Sequence, residues 1–276
     1  MGKLFICGTP IGNLEDVSVR LLKTLRMVDL IACEDTRHTI KLLNRYKIKK
    51  KMISYHEHSG LKREEYILKQ LLEGKNIALV SDAGMPGICD PGESLVQKVI
   101  ENGLEIEVIP GPSAVVSALA VSGLDTSAFI FEGFLPRQTS QRIEALARNK
   151  EENRTVIYYE TPHRLMKTLQ DIQTVLGEQR KIVIVRELTK KHQEIIRGSI
   201  DEIIDRFKQQ VPRGEFCLLI AGKVREQIKF DVDQLIEEVD ELIEKGMDKK
   251  EAFKLKARQY KLQKSVVYKY YIERDL

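Results

Sequence analysis

The chain has 276 residues, of which 42% are hydrophobic and 31% are charged, and its formal net charge is +4. Such a composition is typical of a globular protein, and the length allows one large domain or two ordinary domains with sizeable cores. No apolar run approaches the ~18–20 residues that a membrane-spanning helix needs, so we expect a cytoplasmic protein without a membrane span or signal peptide. The four cysteines lie far apart, which disfavours a disulfide framework or a zinc site.

The first part of the chain alternates short apolar runs with amphipathic helical patterns. Strands are predicted at KLFICG, DLIACE, KMISYH, NIALVSD and EIEVIPG. Helical patterns such as VSVRLLKTLRMV and REEYILKQLLEGK separate them. Near-continuous apolar strands joined by helices are typical of a mainly parallel sheet that is covered on both faces. We therefore predict an N-terminal parallel α/β domain over residues 1–123.

The second part of the chain predicts another α/β domain, over residues 124–224. Its strands are AFIFEGFLP, RTVIYYE, RKIVIVREL, QEIIRGS and EFCLLIAGK. The connection between the third and fourth of these is short, so we expect an antiparallel pair within a mixed sheet.

Residues 225–276 differ in composition and predict a small all-α module. Apolar positions 232, 235, 236, 239, 242 and 243 share one helical face, and Asp248 is placed to cap the next helix. A third helix fits QKSVVYKYYIERD. Three short helices whose last pair is basic are similar to a helix-turn-helix module. The predicted fold class is thus two α/β domains followed by this module.

Four loops at the carboxyl ends of the first-domain strands are the candidate ligand-binding segments. They are residues 8–16, 34–38, 80–92 and 110–114, and three of the four are rich in glycine and proline. Each alone is typical of a tight turn. Ligands of α/β sheets bind at the carboxyl ends of the strands, so four such loops on one edge favour a ligand site.

The residue types in these loops restrict the ligand. The chain has no phosphate-binding G-x-x-x-x-G-K-[ST] string, no G-x-G-x-x-G follows the first strand, and Pro10 lacks an N–H. Asp82 and Asp90 suit a cation or hydroxyl groups. This pattern favours a neutral or cationic ligand such as S-adenosylmethionine, which carries a sulfonium and no phosphate.

Nine motifs in order then give a family resemblance. They are GTPIGNLED, CEDTR, SDAGMPGICDPG, PGPSA, GFLPR, YYETPHRL, RELTKKHQE, RGS and RGEF. Together they closely resemble the tetrapyrrole-methylase-like superfamily of S-adenosylmethionine methyltransferases and, within it, the bacterial ribosomal small subunit methyltransferase I group. The resemblance covers about residues 3 to 223.

This resemblance implies a fold, a reaction and partners. We expect two α/β domains with the cofactor, S-adenosylmethionine, in the cleft between them, usually in a homodimer. We expect methyl transfer to the ribose 2′-oxygen of a cytidine in the decoding region of 16S rRNA in the small ribosomal subunit, without a metal. The cofactor-binding residues implied are Pro10, Asp82, Gly84, Met85, Ile88, Ser113, Ala114, Tyr159, Leu188 and Gly214.

Methyl transfer to a hydroxyl also requires a proton acceptor. The candidates are Glu34, Asp35, Glu160, His163, Glu187 and Lys190. We favour Glu187 or Lys190 as catalytic, because RELTK leaves a strand into the expected cleft. A lysine acts as a base only when its pKa is depressed. The alternative is an ion-pair network of Arg186, Glu187 and Lys190 that positions RNA.

Basic side chains supply candidate RNA contacts, since arginine forks match phosphate geometry. The predicted set is Arg37, Arg137, Arg164, Arg186, Arg213, Lys256 and Arg258. For each alone, a surface ion pair is the alternative. Residues 249–274 hold nine Lys or Arg against two Glu, which favours nucleic acid. A packing or dimerisation role is the alternative for this tail.

Two other functions compete with rRNA ribose methylation. One is methylation of a tetrapyrrole such as a corrin precursor, which would not need the basic tail. The other is a non-catalytic RNA-binding protein of ribosome assembly, against which the intact cofactor loops argue.

Overall fold

A computed structural model describes residues 1–56, 60–209, 212–223, 231–260 and 262–274. The chain divides into two compact units, Met1–Lys223 and Val224–Leu276. Within the described ranges, no helix combines the length and the apolar character needed to cross a membrane. The predicted start of the tail, at Arg225, lies outside the described residues.

The first five strands form one parallel sheet, in the order β3-β2-β4-β1-β5. They are β1 (Lys3–Cys7), β2 (Leu30–Cys33), β3 (Met52–Ser54), β4 (Ile77–Val80) and β5 (Glu105–Ile109). The helices between them are α1 (Val19–Met27), α2 (Thr36–Arg45), α3 (Gly60–Leu72) and α4 (Glu93–Glu101). Every residue of β2 and β4 is buried, because apolar clusters cover both faces of the sheet. The predicted parallel α/β architecture is confirmed.

The next five strands form a mixed sheet, in the order β6-β7-β10-β8-β9. They are β6 (Phe129–Phe134), β7 (Thr155–Glu160), β8 (Lys181–Arg186), β9 (Glu194–Ser199) and β10 (Phe216–Ile220). The associated helices are α5 (Ala114–Ser122), α6 (Thr139–Arg148), α7 (Pro162–Leu176) and α8 (Ile200–Lys208). Strands β8 and β9 pair in antiparallel register from Lys181↔Ser199 to Arg186↔Glu194, as the short connection predicted.

Helix α5 joins the two sheets. It follows β5 in the chain, yet Val115, Ala118 and Leu119 pack against β7, β8 and β10 of the second sheet. Arg197 on β9 donates to the carbonyl oxygens of Val121 and Ser122 at the carboxyl end of the helix. The loop from Pro110 to Ser113 therefore lies where the carboxyl end of the first sheet meets the second. The predicted domain boundary after residue 123 stays a prediction.

The second unit is a three-helix module with its own core. Its helices are α9 (Val232–Glu244), α10 (Lys249–Gln259) and α11 (Lys264–Glu273). Leu235 and Val239 of the predicted apolar face are buried against Phe253 of α10. Asp248 caps α10 by accepting from the backbone N–H groups of Lys250 and Glu251. The three predicted helices are confirmed.

Candidate active site

Backbone contacts connect the loops that follow β1, β4 and β5. Thr9 and Gly84 form an isolated bridge, in which the Thr9 N–H donates to the Gly84 carbonyl (2.8 Å) and the Gly84 N–H donates back (3.1 Å). A Cβ on Gly111 would lie 2.5 Å from the carbonyl oxygen of Gly8, so these two backbones touch. Gly84 has φ of +80°, and a Cβ there would meet no atom closer than 3.6 Å. Glycine is thus needed for backbone conformation at residue 84 and for close approach at residues 8 and 111.

Carboxylates gather at the ends of β2 and β4. Asp82 accepts from the Asp35 backbone N–H (3.1 Å), and its other oxygen lies 3.2 Å from Nδ1 of His38. The Asp82 N–H donates to Glu34 (3.4 Å). Burial, followed by repulsion from Glu34, raises the pKa of Asp90 to about 6. Burial is also the main reason that the pKa of Glu34 is raised. This edge of the sheet therefore favours a bound cation or a proton.

The loop after β8 faces the first-sheet loops from the second sheet. Glu187 and Thr189 both have positive φ, +49° and +66°, which is uncommon for residues other than glycine. One Glu187 carboxylate oxygen accepts from Lys190 Nζ (2.9 Å) and from the Glu215 N–H (2.9 Å). Lys190 Nζ also lies 2.8 Å from the Glu215 carboxylate. The Glu187 side chain lies so close to Gly214 that a Cβ there would be 2.5 Å from Glu187 Cγ.

This pairing determines the charge states of the two predicted catalytic residues. Burial alone would raise the pKa of Glu187, but the Glu215 N–H and Lys190 outweigh burial, and the pKa is lowered. Burial alone would lower the pKa of Lys190, but its bonds to Glu215 and Glu187 raise it. A lysine with a raised pKa stays protonated at neutral pH, so the geometry favours the ion-pair interpretation of these residues.

The remaining candidate bases differ in environment. The hydrogen bond from Arg37 lowers the pKa of Asp35 to about 2, which makes it a weak base. The Glu160 side chain is buried and accepts from Thr168 Oγ1 (2.6 Å) and from the Thr161 N–H (2.8 Å). His163 is exposed on the first turn of α7. Burial raises the pKa of Glu34 toward neutrality, and it does the same for Asp90, which the sequence patterns did not single out as a base.

Loops of the two sheets come into close contact at Gly12 and at Gly133. A Cβ on Gly12 would lie 2.7 Å from Thr189 Oγ1 and 2.6 Å from Lys190 Cγ. A Cβ on Gly133 would lie 2.9 Å from Cys89 Sγ. Thr189 Oγ1 is buried and has no hydrogen-bond partner among the described residues. A buried hydroxyl without a partner is costly, and a bound ligand can satisfy it.

The predicted cofactor-binding residues lie around these contacts. Pro10 and Gly84 are buried, and Met85 Sδ lies close to Gly8. Tyr159 and Leu188 pack against the cluster that contains Val115, one residue beyond Ala114. The Ile88 side chain, by contrast, is exposed. Ser113 caps α5 without a side-chain hydrogen bond to the helix, so its hydroxyl is available to a ligand.

Four of the seven predicted RNA-binding side chains have partners within their own unit. Arg37, whose side chain is 88% exposed, pairs with Asp35 (2.7 Å). Arg186 donates to the carbonyl oxygen of Arg213 (2.6 Å) and lies 3.5 Å from Glu194. These contacts stabilise the neighbouring backbone and strands, while the Arg37 guanidinium remains accessible to solvent.

The other two paired cations are largely structural. Arg164 donates to the carbonyl oxygens of Leu135 (2.6 Å) and Pro136 (3.2 Å). Lys256 is only 12% exposed and pairs with Glu238 of α9 (2.9 Å), so it joins helices rather than facing solvent. Arg137, Arg213 and Arg258 are exposed, and their guanidinium groups have no hydrogen-bond or ion-pair partner in the part of the chain that the structure describes.

Comparison with known proteins identifies the family of this chain. Residues 3–204 match the model of the Tetrapyrrole (Corrin/Porphyrin) Methylases. A Synechocystis protein named Ribosomal RNA small subunit methyltransferase I is 45% identical over 99% of this chain and 98% of its own length. The Bacillus subtilis protein of the same name is 42% identical over 98% of this chain and 94% of its own. The chain belongs to the tetrapyrrole methylases. Within them, it groups with the ribosomal RNA small subunit methyltransferase I proteins.

One shorter relative matches only part of this chain. The Thermotoga maritima protein of the same name is 52% identical, and the match covers 81% of this chain but 100% of the relative. About a fifth of this tetrapyrrole methylase therefore has no counterpart there, a share equal to that of the Val224–Leu276 unit.

Solved structures agree on the fold. The methyltransferase CobJ matches with a TM-score of 0.62 at 18% identity, over 81% of this chain and 95% of its own. Diphthine synthase matches with a TM-score of 0.61 at 11% identity, over 81% and 90% of the two chains. Like its family, the protein is a methyltransferase that uses S-adenosylmethionine. The residues present fit this cofactor, because the carboxylates around Asp82 favour a cation, and the Thr189 hydroxyl beside Gly12 is open to a ligand since it has no partner among the described residues.

Proposed function

We propose that this tetrapyrrole methylase transfers a methyl group to the ribose 2′-oxygen of a cytidine in the decoding region of 16S rRNA, in the small ribosomal subunit. The observation that carries the proposal is similarity over 98–99% of the chain to proteins named Ribosomal RNA small subunit methyltransferase I, at 40–45% identity. We further propose that it acts in the cytoplasm and forms a homodimer without a metal, as the family resemblance implies.

We propose that the cofactor lies where the first-sheet loops meet the loop after β8. Pro10, Gly84 and Met85 would line it from the first sheet, and Tyr159 and Leu188 from the second. Asp82, Ile88, Ser113, Ala114 and Gly214 complete the proposed set. When bound, S-adenosylmethionine supplies an electrophilic methyl group on a cationic sulfur. Holding that methyl in line with the attacking oxygen is the main task of these loops.

We propose that the Glu187–Lys190 pair shapes the loop after β8 and that a carboxylate of the first-sheet cluster accepts the hydroxyl proton. The raised pKa of Asp90, about 6, supports this residue, since a general base works best when its pKa lies near the operating pH. Its conjugate acid would still lose the proton to water at pH 7, which returns the site to its starting state.

We propose that exposed arginines contact RNA phosphates around the cleft and on the helical module. Arg137 follows β6 and Arg213 precedes β10 in the first unit, and Arg258 lies on α10. Their guanidinium groups are not engaged by described residues, so pairing with phosphate would cost no ion pair within the protein. Arg37 is accessible for the same role.

The test is mass spectrometry of 16S rRNA from cells with and without the protein. We expect loss of one ribose methyl from a decoding-region cytidine. Substituting deoxyribose at that nucleotide in a reconstituted subunit should abolish methyl incorporation by purified protein, because the acceptor oxygen is missing. Labelling that persists would indicate base methylation. The proposal would be wrong if the rRNA of the deletion strain kept all its methyl groups. If the purified protein then methylated a tetrapyrrole, tetrapyrrole methylation would be its function instead.

A further inference from the structure

A bulge in strand β6 turns an exposed aromatic ring toward the cleft. Phe131 pairs with Ile157, but Phe134 pairs with Tyr159, so β6 contains one more residue than β7 over this stretch. The extra residue sits beside Gly133, whose φ is +67°. Without the bulge, Phe134 would lie opposite the next residue, on the other face of the sheet.

As a result, the Phe134 ring lies next to the expected cofactor pocket. Its centroid is 5.6 Å from that of Tyr159, at an interplanar angle of 60°. Gly133 is in close contact with Cys89 of the first-sheet loop, so the ring is at the rim where the two halves meet. Nevertheless, 50% of Phe134 is exposed. One side of the ring packs on Tyr159, and the rest is open to a ligand.

The buried Arg142 and the half-buried Arg164 hold the segment that follows this ring. Arg142 donates to the carbonyl oxygens of Pro136 (3.1 Å) and Arg137 (3.0 Å), and Arg164 donates to that of Leu135 (2.6 Å). These bonds fix the backbone from residue 135 to 137, whereas the Arg137 side chain is exposed. A rigid segment thus presents one aromatic ring and one cation three residues apart.

We propose that Phe134 and Arg137 bind the acceptor nucleotide, with the nucleobase stacked on the Phe134 ring and an adjacent phosphate paired with the Arg137 guanidinium. Single-stranded RNA is recognised by stacking of unpaired bases on aromatic side chains and by arginine–phosphate pairing. Stacking at the rim holds the base outside the pocket and places the attached ribose toward Tyr159 and the cofactor. The inference rests on the proposed function and names two of its substrate-positioning residues.

The first experiment measures binding to small ribosomal subunits that lack the methyl group, with S-adenosylhomocysteine present. The chain provides a matched control in Phe129, which is 40% exposed at the opposite end of β6. Phe134→Ala should weaken subunit binding by about 5- to 150-fold, the range for loss of one base–aromatic stack. Phe129→Ala and Phe134→Trp should bind within about threefold of wild type.

Calorimetric titration with the cofactor separates stacking from folding. All three variants should bind S-adenosylmethionine as the wild type does, and Phe134→Ala should raise KM for the subunit more than it lowers kcat.

Arg137→Ala should flatten the salt dependence of subunit binding, because a phosphate contact is lost. Arg148→Ala, which changes an exposed residue of α6, should leave the salt dependence unchanged.

The outcomes distinguish the inference from the function on which it rests. The stacking role would be overturned if Phe134→Ala and Phe129→Ala weakened subunit binding equally, or if Phe134→Trp bound as weakly as Phe134→Ala. In either case, normal subunit binding by the wild type would still support the proposed function. Failure of the wild type to bind or methylate subunits would overturn both.

Discussion

The buried ion pair between α6 and α7 makes a quantitative prediction. The Arg142 side chain is only 2% exposed, and Nε donates to Asp171 (2.6 Å). Replacing Arg142 with Met removes the cation and leaves the Asp171 carboxylate, 14% exposed, without its partner. Breaking a buried pair on one side costs about 3–5 kcal/mol, because the remaining charge is desolvated and uncompensated. We therefore expect Arg142→Met to reduce the free energy of unfolding by about that amount.

Urea denaturation followed by circular dichroism measures this loss, and a double-mutant cycle assigns its cause. Asp171→Leu alone should be similarly destabilising, whereas the double variant should recover most of the loss, since a well-packed apolar pair can replace a buried ion pair. Arg148→Met on the exposed face of α6 is the matched control and should change stability by less than about 0.5 kcal/mol.

The same cycle separates stability from substrate positioning. The double variant regains packing but not the bonds from Arg142 to the Pro136 and Arg137 carbonyl oxygens. Its KM for the ribosomal subunit should therefore stay raised although its stability is restored. A loss below about 1 kcal/mol for Arg142→Met, or a double variant no more stable than either single one, would refute the reasoning.

Three further perturbations address the cleft and the tail. Asp90→Asn should lower kcat by at least about 100-fold while cofactor affinity stays within a few-fold. The wild-type rate should fall below about pH 6, where this carboxyl becomes protonated. Lost cofactor affinity with unchanged kcat would instead identify Asp90 as a cofactor ligand. Thr189→Val keeps the β-branched shape and removes a hydroxyl that no described residue bonds, so the free protein should be more stable by about 1 kcal/mol and bind S-adenosylmethionine more weakly. Lower stability together with normal calorimetric affinity would contradict that assignment. Deleting residues 224–276 should spare cofactor binding, raise the subunit KM and flatten its salt dependence, because phosphate contacts are lost. A truncated protein that is monomeric and inactive would identify the tail as a dimerisation element.

The loops of the cleft were predictable from sequence because their chemistry is local. Glycine, proline and aspartate after a buried strand restrict backbone conformation within a few residues, and parallel strands bring such loops to one edge. The contact of Gly8 with Gly111 and the positive φ of Gly84 agree with that pattern. Helix α5 was missed for the opposite reason. Its sequence, AVVSALAVS, is apolar on all sides and carries little helical periodicity.

Residue roles that depend on distant partners were not predictable. Arg164 and Lys256 match the pattern of RNA-binding cations, but carbonyl oxygens of a loop engage the first, and a glutamate on a neighbouring helix engages the second. The partner of Arg142 lies 29 residues away in sequence. The pKa of Asp90 likewise depends on burial and on Glu34, which belongs to a different loop. Composition and spacing contain none of these tertiary contacts.

Several departures from ordinary local chemistry lie in the loops after β4 and β8. Glu187 and Thr189 have left-handed backbone conformations, the Thr189 hydroxyl has no bond to a described residue, and the Asp90 carboxyl resists ionisation. Each feature costs stability in the free protein. Away from the cleft, buried polar groups such as Arg142 are fully paired. Strain and desolvation that a fold tolerates at one place are expected where a ligand relieves them. These two loops therefore combine unfavourable local structure with groups that suit a cationic cofactor and a proton transfer.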